Sequence, residues 1–287
     1  MKVHWERFHV YAHFSTINNL NDTSMYPDNE PIIEQLDLPF EELMMRMERD
    51  DFRGKSSLTI RIGDANDLIR EIDDQSVDLI ATDPPYGINF EKNEWDEPDR
   101  LNWHELATHF KRVLKPHGNL IVFQGWSYVA ETKTILDQYF TIKNWIIYDR
   151  VKGRGAKTNF VSTREDILWY VMDEKIHVFN KIDSTIKKKT GGMGLKNGTK
   201  YRALSNVWTD ISPIVPWSKE RVKHPTQKPV SLMNRIVEVF SNPNDLVLDP
   251  FMGSGTTAVS CQILGRHCIG FEKNPEYYQI ILERTKQ

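Results

Sequence analysis

Cysteine is nearly missing from this chain: Cys261 and Cys268 are the only two in 287 residues. They sit in the apolar stretches AVSCQIL and RHCIGF with no other ligand type at metal spacing, which excludes a disulfide scaffold and fits two small core residues in a reducing compartment. No apolar run approaches the roughly 18 residues that a membrane-spanning helix needs, and the opening MKVHWERFHV lacks the apolar segment of a signal peptide. A soluble protein of the cytoplasm is therefore expected, with no membrane partner. An excess of either charge is also lacking, 37 Lys and Arg standing against 40 Asp and Glu for a net value of −3. Internal repeats are absent.

What is present is unevenly placed. From Arg150 to Lys223 there are 16 Lys and Arg against seven Asp and Glu, so this stretch carries +9 and the rest of the chain −12. A cationic middle between acidic flanks suggests that one segment faces a polyanion. The length allows one large α/β domain with an insertion, with enough residues to bury a full core.

Residues 1–56 are turn-rich and polar in STINNLNDTSMYPDNEP and then read as a short charged helix in PFEELMMRMERDDF; no chemistry can be assigned to them. From Ser57 strands and helices alternate, the pattern of a parallel sheet with crossover helices. LTIRIG, SVDLIATD, GNLIVFQG, TIKNWIIYDR and DILWYVM read as strands, and ANDLIREI, NWHELATHFKRVLKP (stopped by Pro116) and YVAETKTILDQY as helices. The basic stretch interrupts this rhythm with loop-like pieces, VKGRGAKTNF and TGGMGLKNG. Regular pattern returns with a helix in HPTQKPVSLMNRIVEVFS, the strand DLVLDPF, the helix TTAVSCQILG, the strand HCIGFE and a closing helix, PEYYQIILERTKQ.

Two strand exits stand out. After SVDLI the chain runs ATDPPYGINF, where two prolines stiffen the backbone and set Asp83 and Tyr86 on a rigid platform. After DLVLDPF it runs MGSGTTA. Strand, Gly253-Ser254-Gly255-Thr256-Thr257-Ala258 and helix match a nucleotide-binding turn, and Glu272, 23 residues beyond Asp249, stands at the end of the next strand, where an acid can bind a ribose diol. Only 32 residues follow Gly255. The sheet must therefore be completed by the strands between residues 58 and 172, which makes both halves one doubly wound domain. Ligands of such sheets collect at the carboxyl ends of strands where the strand order reverses. If the two strands are neighbours, Asp83 and Tyr86 lie beside the glycine turn.

DPPY, HPTQKP and FMGSGTT, in that order around a basic middle, resemble the permuted β class of amino-group DNA methyltransferases, over roughly residues 57–287. The resemblance implies a mostly parallel, seven-stranded Rossmann-like sheet with a target-recognition region inserted: 1–56 an extension, 57–150 the catalytic half, 151–222 the basic insertion and 223–287 the cofactor half. It implies S-adenosylmethionine as methyl donor, S-adenosylhomocysteine as product, no metal, and DNA as partner, with a cognate restriction endonuclease and a homodimer as further family associations at the nucleoid. The acceptor roles fall on the Asp83 carboxylate and the Pro84 carbonyl, with Tyr86 stacking on the target base; Asp83 is also counted beside the cofactor. Further cofactor contacts carried over are Phe251, Gly253, Ser254, Gly255 and Thr256 around the methionine portion, Glu272 at the ribose and Asp64 near the adenine. Asp64 reads equally well as a helix cap. Thr226 and Lys228 suit the cofactor carboxylate, and His224 is read as structural.

A base inside a duplex must be rotated out to reach such a pocket. Lys152, Arg154, Lys157, Lys187, Lys188 and Lys189 are the candidates for phosphate contact. GINFEKNEWDEPD resembles a mobile loop over the substrate, with Trp95 in it. The chain departs from the family at Arg164-Glu165, where His-Glu is usual, which concerns the building of the neighbouring pocket wall and not the reaction. Asp83 favours adenine N6 over cytosine N4, Ser being usual for the latter. A DNA-binding regulator with a decayed methyltransferase fold is the non-enzymatic alternative. A glutamine-directed protein methyltransferase and an NAD-dependent dehydrogenase account for fewer of the motifs.

Overall fold

The computed structural model describes residues 56–87, 101–154, 158–187 and 201–286. The helix expected before Phe52 and the loop carrying Trp95 lie outside the described residues.

Val77, Leu79, Ile80 and Ala81 make SVDLIAT a strand buried on both faces, and β2 (Val77–Thr82) is buried at every residue, with Asp78 paired to Lys115 and His117. Beside it on one side lies β9 (Leu246–Asp249), with Leu79 opposite Val247 and Ile80 opposite Leu248, in parallel. On the other side lies β3 (Leu114–Gln124), also parallel. Beyond β9 follow β10 (His267–Glu272) and β1 (Leu58–Ile62), both parallel. Beyond β3 come β5 (Ser162–Val171), the one strand that runs against the rest, then β4 (Thr141–Arg154) and the two-residue β8 (Val207–Trp208) at the edge. The order β1-β10-β9-β2-β3-β5-β4-β8 makes eight strands rather than the seven expected. The addition is the two-residue edge strand β8 from the basic stretch, too brief to leave a periodic signal.

Helices cover both faces, as a parallel sheet requires. One face carries α1 (Ala65–Leu68), α2 (Trp103–Val113) and α3 (Val129–Leu136), whose Leu106, Phe110 and Leu136 pack with Ile80 and Val122. The other carries α4 (Val230–Phe240), α5 (Thr256–Leu264) and α6 (Pro275–Thr285), with Leu232, Ile236 and Ile281 packed against Leu79 and Phe123. Cys261 and Cys268 are buried and free.

Three local expectations need adjustment. ANDLIREI is one turn of α-helix continued by a 3₁₀ turn, Ile69–Glu71. The helix expected to run to Pro116 stops at Val113, and β3 begins at Leu114 before the proline, in an irregular register where Val77 faces Leu114 but Leu79 faces Asn119. Parts of the basic stretch expected as loops are strands: β6 (Asp183–Lys187) and β7 (Tyr201–Ala203) form a separate two-stranded sheet. Residues 151–222 also include β5, which lies inside the main sheet.

Asp210 anchors this part to the cofactor half. Its carboxylate takes both guanidinium nitrogens of Arg235 on α4 at 2.8 Å, and the amide and hydroxyl of Thr185 on β6 at 2.9 Å. Trp208 of β8 lies under the same guanidinium, 5.2 Å from ring centre to carbon. Burial alone would raise the Asp210 carboxyl, but the Arg235 charge and these bonds outweigh it and hold it at about 2.

Candidate active site

Strand order reverses between β2 and β9, so their carboxyl ends open side by side. There the Asp83-Pro84-Pro85-Tyr86 platform and the Phe251–Thr256 turn line one cavity of about 880 Å³. That lies within the roughly 300–1,000 Å³ range of small-molecule sites.

Gly253 sits at φ +53°, and a Cβ there would come 3.1 Å from His224 Nε2. Its amide donates to Glu272 Oε2 at 2.8 Å, while Glu272 Oε1 accepts from the Asn274 amide at 2.8 Å. Burial raises the Glu272 carboxyl above the usual range. Gly255 (φ +80°) serves differently. It does not border the cavity, and a Cβ there would meet the Ile281 side chain at 3.1 Å, so its role is to let α5 approach α6.

Phe251, Ser254 and Thr256 line the cavity. The hydroxyls of Ser254 and Thr256 are 3.2 Å apart, and Thr256 donates to the Lys228 carbonyl at 3.1 Å. Arg284, which sequence reasoning passed over, reaches from α6 to donate to the Ser254 carbonyl at 2.6 Å and brace the turn. Asp64 caps α1 by accepting from the Asn66 amide at 3.0 Å and pairs with Lys273 at 2.8 Å, while also bordering the cavity. The Lys273 bond is the main reason its carboxyl lies below the ordinary value. Thr226 borders the same space. His224 also lines the cavity, edge-on to Tyr277 at 4.4 Å, and burial lowers its imidazole to about 4.

The platform itself is tightly held. Tyr86 donates to Asp83 Oδ1 at 2.6 Å, and its ring packs so closely on Gly125 that a Cβ there would lie 3.1 Å from ring Cδ2. Pro84 is buried beside it. Lys228, expected at the cofactor carboxylate, is instead turned onto Asp83, with Nζ 2.6 Å from Oδ2. Glu165, absent from the residues picked by sequence, stands 3.2 Å from the same ammonium. Exposed Trp126, at the end of β3, borders the cavity as well.

Asp249 ends β9 beneath this site, accepting from the Thr257 hydroxyl at 2.6 Å and the Phe251 amide at 3.1 Å. Burial raises its carboxyl to about 7 from 3.8. Between those values the folded chain keeps a proton that the unfolded chain has released, so stability falls as pH rises through that window. Urea denaturation at about pH 4.5 and about pH 7.5 is expected to show a larger loss in the wild type than in Asp249→Asn. Equal losses in both proteins would remove Asp249 from this account.

The candidates for phosphate contact are less defined. Lys152 and Arg154 lie on the last residues of β4 and Lys187 ends β6, but their side chains, like Lys157, Lys188 and Lys189, lie outside the described residues. Among the described residues no group of His, Cys, Asp and Glu could hold a metal ion, and no helix is long and apolar enough to cross a membrane.

Comparison with known proteins agrees with this geometry. The family model described as DNA methylase, of the N6/N4 type, matches residues 77–283. The type II methyltransferase M.HpaI of Haemophilus parainfluenzae is 35% identical over 227 residues, covering 75% of this chain and 70% of its own. The DNA adenine methyltransferase YhdJ of Escherichia coli K12 is 36% identical over 247 residues, covering 80% and 83%. Among solved structures, that of the M1.HpyAVI complex with S-adenosylmethionine superposes with a TM-score of 0.58 at 31% identity, covering 79% of this chain and 99% of its own. The cytosine-N4-specific PvuII methyltransferase, at a TM-score of 0.60 and 20% identity over 80% of this chain and 86% of its own, shares the fold. The match of motif order, cavity and family model places this chain in the DNA methylase family, the S-adenosylmethionine-dependent amino-group methyltransferases.

Proposed function

We propose that this protein methylates the exocyclic N6 of an adenine rotated out of a DNA duplex. The observation that carries the reading is that the Asp83 platform and the Gly253 turn line one cavity at the β2–β9 junction. The turn suits an adenosyl cofactor: the left-handed backbone at Gly253 and the close approach of His224 disfavour a side chain there, and Glu272 holds its amide while bordering the cavity. S-adenosylmethionine, when bound, supplies a sulfonium methyl group and leaves as S-adenosylhomocysteine. Gly253, Ser254 and Phe251 would hold its methionine portion, Glu272 its ribose and Asp64 the region of its adenine.

The protein's own task is to make a poor nucleophile reactive. The lone pair of an exocyclic amine is delocalised into the base, and an acceptor on its N–H favours the pyramidal form that can take a methyl group. Asp83 supplies that acceptor, and its effect is largest where charge develops in the transition state. The same carboxylate is placed to receive the proton that the methylated nitrogen gives up. Lys228 cannot do so, because although burial disfavours its charge, Asp83 and Glu165 together raise its pKa above that of an ordinary lysine and keep it an ammonium. Tyr86 presents a ring for the base to stack on.

Adenine is favoured over cytosine N4 by the aspartate at position 83 and by the adenine-directed name of YhdJ. The type II names of the other relatives support a role in restriction-modification beside a cognate endonuclease, on DNA at the nucleoid. The intact acceptor, turn and Glu272 favour an enzyme over a DNA-binding regulator. Nucleoside mass spectrometry of duplex DNA, single-stranded DNA and RNA incubated with protein and cofactor tests this. N6-methyladenine from DNA is expected; N4-methylcytosine would correct the base, and binding without transfer would support the regulator.

Tyr86 gives a further test. Tyr86→Phe keeps the ring on Gly125 and loses one hydrogen bond, for an expected fall in rate of about tenfold or less. Tyr86→Ala loses the stacking face, worth roughly 1–3 kcal/mol per base, and should cost on the order of 10²-fold at limiting DNA. Equal losses in the two variants would assign the effect to the hydroxyl and not to stacking.

A further inference from the structure

We infer that Glu165 is a positioning residue for methyl transfer: by holding the Lys228 ammonium, it fixes which oxygen of Asp83 is left for the substrate amine. The inference rests on the reading of Asp83 as the amine acceptor.

Four charges alternate in a row across the cavity wall. Asp83 Oδ2 lies 2.6 Å from Lys228 Nζ, Glu165 Oε2 lies 3.2 Å from the same nitrogen, and Arg150 Nη1 lies 3.6 Å from Glu165 Oε1. Two acids and two bases cancel, so the row adds no net charge to a buried region. Lys228 is 8% exposed, and a lone ammonium at that depth would be unstable without close partners. Its main chain is fixed as well, since its carbonyl accepts from Thr256 and Pro229 leads directly into α4.

An ammonium has three N–H donors. One is directed at Asp83 Oδ2 at 2.6 Å and a longer one at the Tyr86 hydroxyl at 3.4 Å, Glu165 Oε2 is held as an ion pair at 3.2 Å, and the rings of Phe123 and Tyr86 lie 5.2 and 5.6 Å from the nitrogen. With Oδ2 held by this fixed cation, only Oδ1 can change partner, from the Tyr86 hydroxyl to an incoming N–H. Without Glu165 the ammonium would be drawn to Asp83 alone and the carboxylate would be free to turn with it. A displacement of about 1 Å at such a group can cost on the order of 10²-fold in rate.

The experiment compares Glu165→Gln, Lys228→Met and the double variant, by single-turnover methyl transfer to DNA and by calorimetry of S-adenosylmethionine binding. In Glu165→Gln the rate at saturating DNA should fall on the order of 10²-fold, with cofactor affinity changed by about twofold or less. The double variant should be no slower than Lys228→Met, because the first residue acts only through the second. Multiplying losses in the double variant would overturn the relay. Cofactor binding weakened about tenfold or more in Lys228→Met, with the saturated rate intact, would overturn it by making Lys228 a cofactor ligand. Both failures leave the methyltransferase reading standing; a wild-type protein that transfers no methyl group to DNA overturns that reading and the inference with it.

Discussion

Asp83→Asn is expected to lower single-turnover methyl transfer on the order of 10³-fold while leaving S-adenosylmethionine affinity within about twofold. The substitution keeps the shape of the side chain and changes its hydrogen-bond character. The carboxylate now accepts from both Tyr86 and Lys228 at 2.6 Å. An amide can face only one of them with oxygen and must turn its N–H₂ toward the other or toward the substrate amine, itself a donor. Lys228 keeps Glu165 at 3.2 Å, so the fold should survive. The rate at saturation and the rate at limiting DNA should fall together, the sign of an interaction made in the transition state alone. A loss confined to cofactor affinity would instead place Asp83 among the cofactor ligands.

Asp210→Ala should destabilise the protein by about 3–5 kcal/mol, the range for leaving one member of a buried ion pair alone. The substitution strands the Arg235 guanidinium, 8% exposed, and frees the amide and hydroxyl of Thr185. Urea denaturation measures the loss, and an accompanying Arg235→Met change should recover much of it by removing the stranded charge. The same pair predicts acid sensitivity. With its carboxyl held at about 2 against 3.8, Asp210 contributes stability above the unfolded value that is lost as pH falls toward the folded one. A loss below about 1 kcal/mol would show that Arg235 finds another partner and that this contact does not anchor β6 to α4.

The part of the site built on parallel strands was legible because such strands finish at the ligand edge. SVDLIATD and DLVLDPF are short, mainly apolar runs with no strict alternation, and each is followed by residues a plain turn does not need. Chain length required both halves to share one sheet, and within it β2 does lie against β9. Glu165 was missed for the complementary reason. β5 is antiparallel, so its first residues and not its last reach that edge, and a search of strand exits passes over them. The signal was the Arg164-Glu165 pair where the family has His-Glu, and the structure puts its glutamate in the pocket wall. Lys228 was identified as a site residue, but its partner could not be, since the choice between a cofactor carboxylate and Asp83 depends on where α4 begins relative to β2. Gly255 shows the opposite limit. A glycine in a nucleotide-turn pattern reads as a ligand contact, and only the packing of Ile281 reveals that its missing side chain makes room for a helix. Edge strands of two or three residues, such as β8 and β7, carry no period and leave no mark in the sequence.

One claim underlies the rest: that Asp83 and the Gly253 turn serve a single reacting centre. A crystal structure of the protein with S-adenosylhomocysteine bound tests it directly. The ligand is expected against Gly253 and Glu272, its sulfur turned toward Asp83, with space for a purine between sulfur and carboxylate. A ligand seated elsewhere, or one whose sulfur faces away from Asp83 with side chains filling the gap, would contradict it.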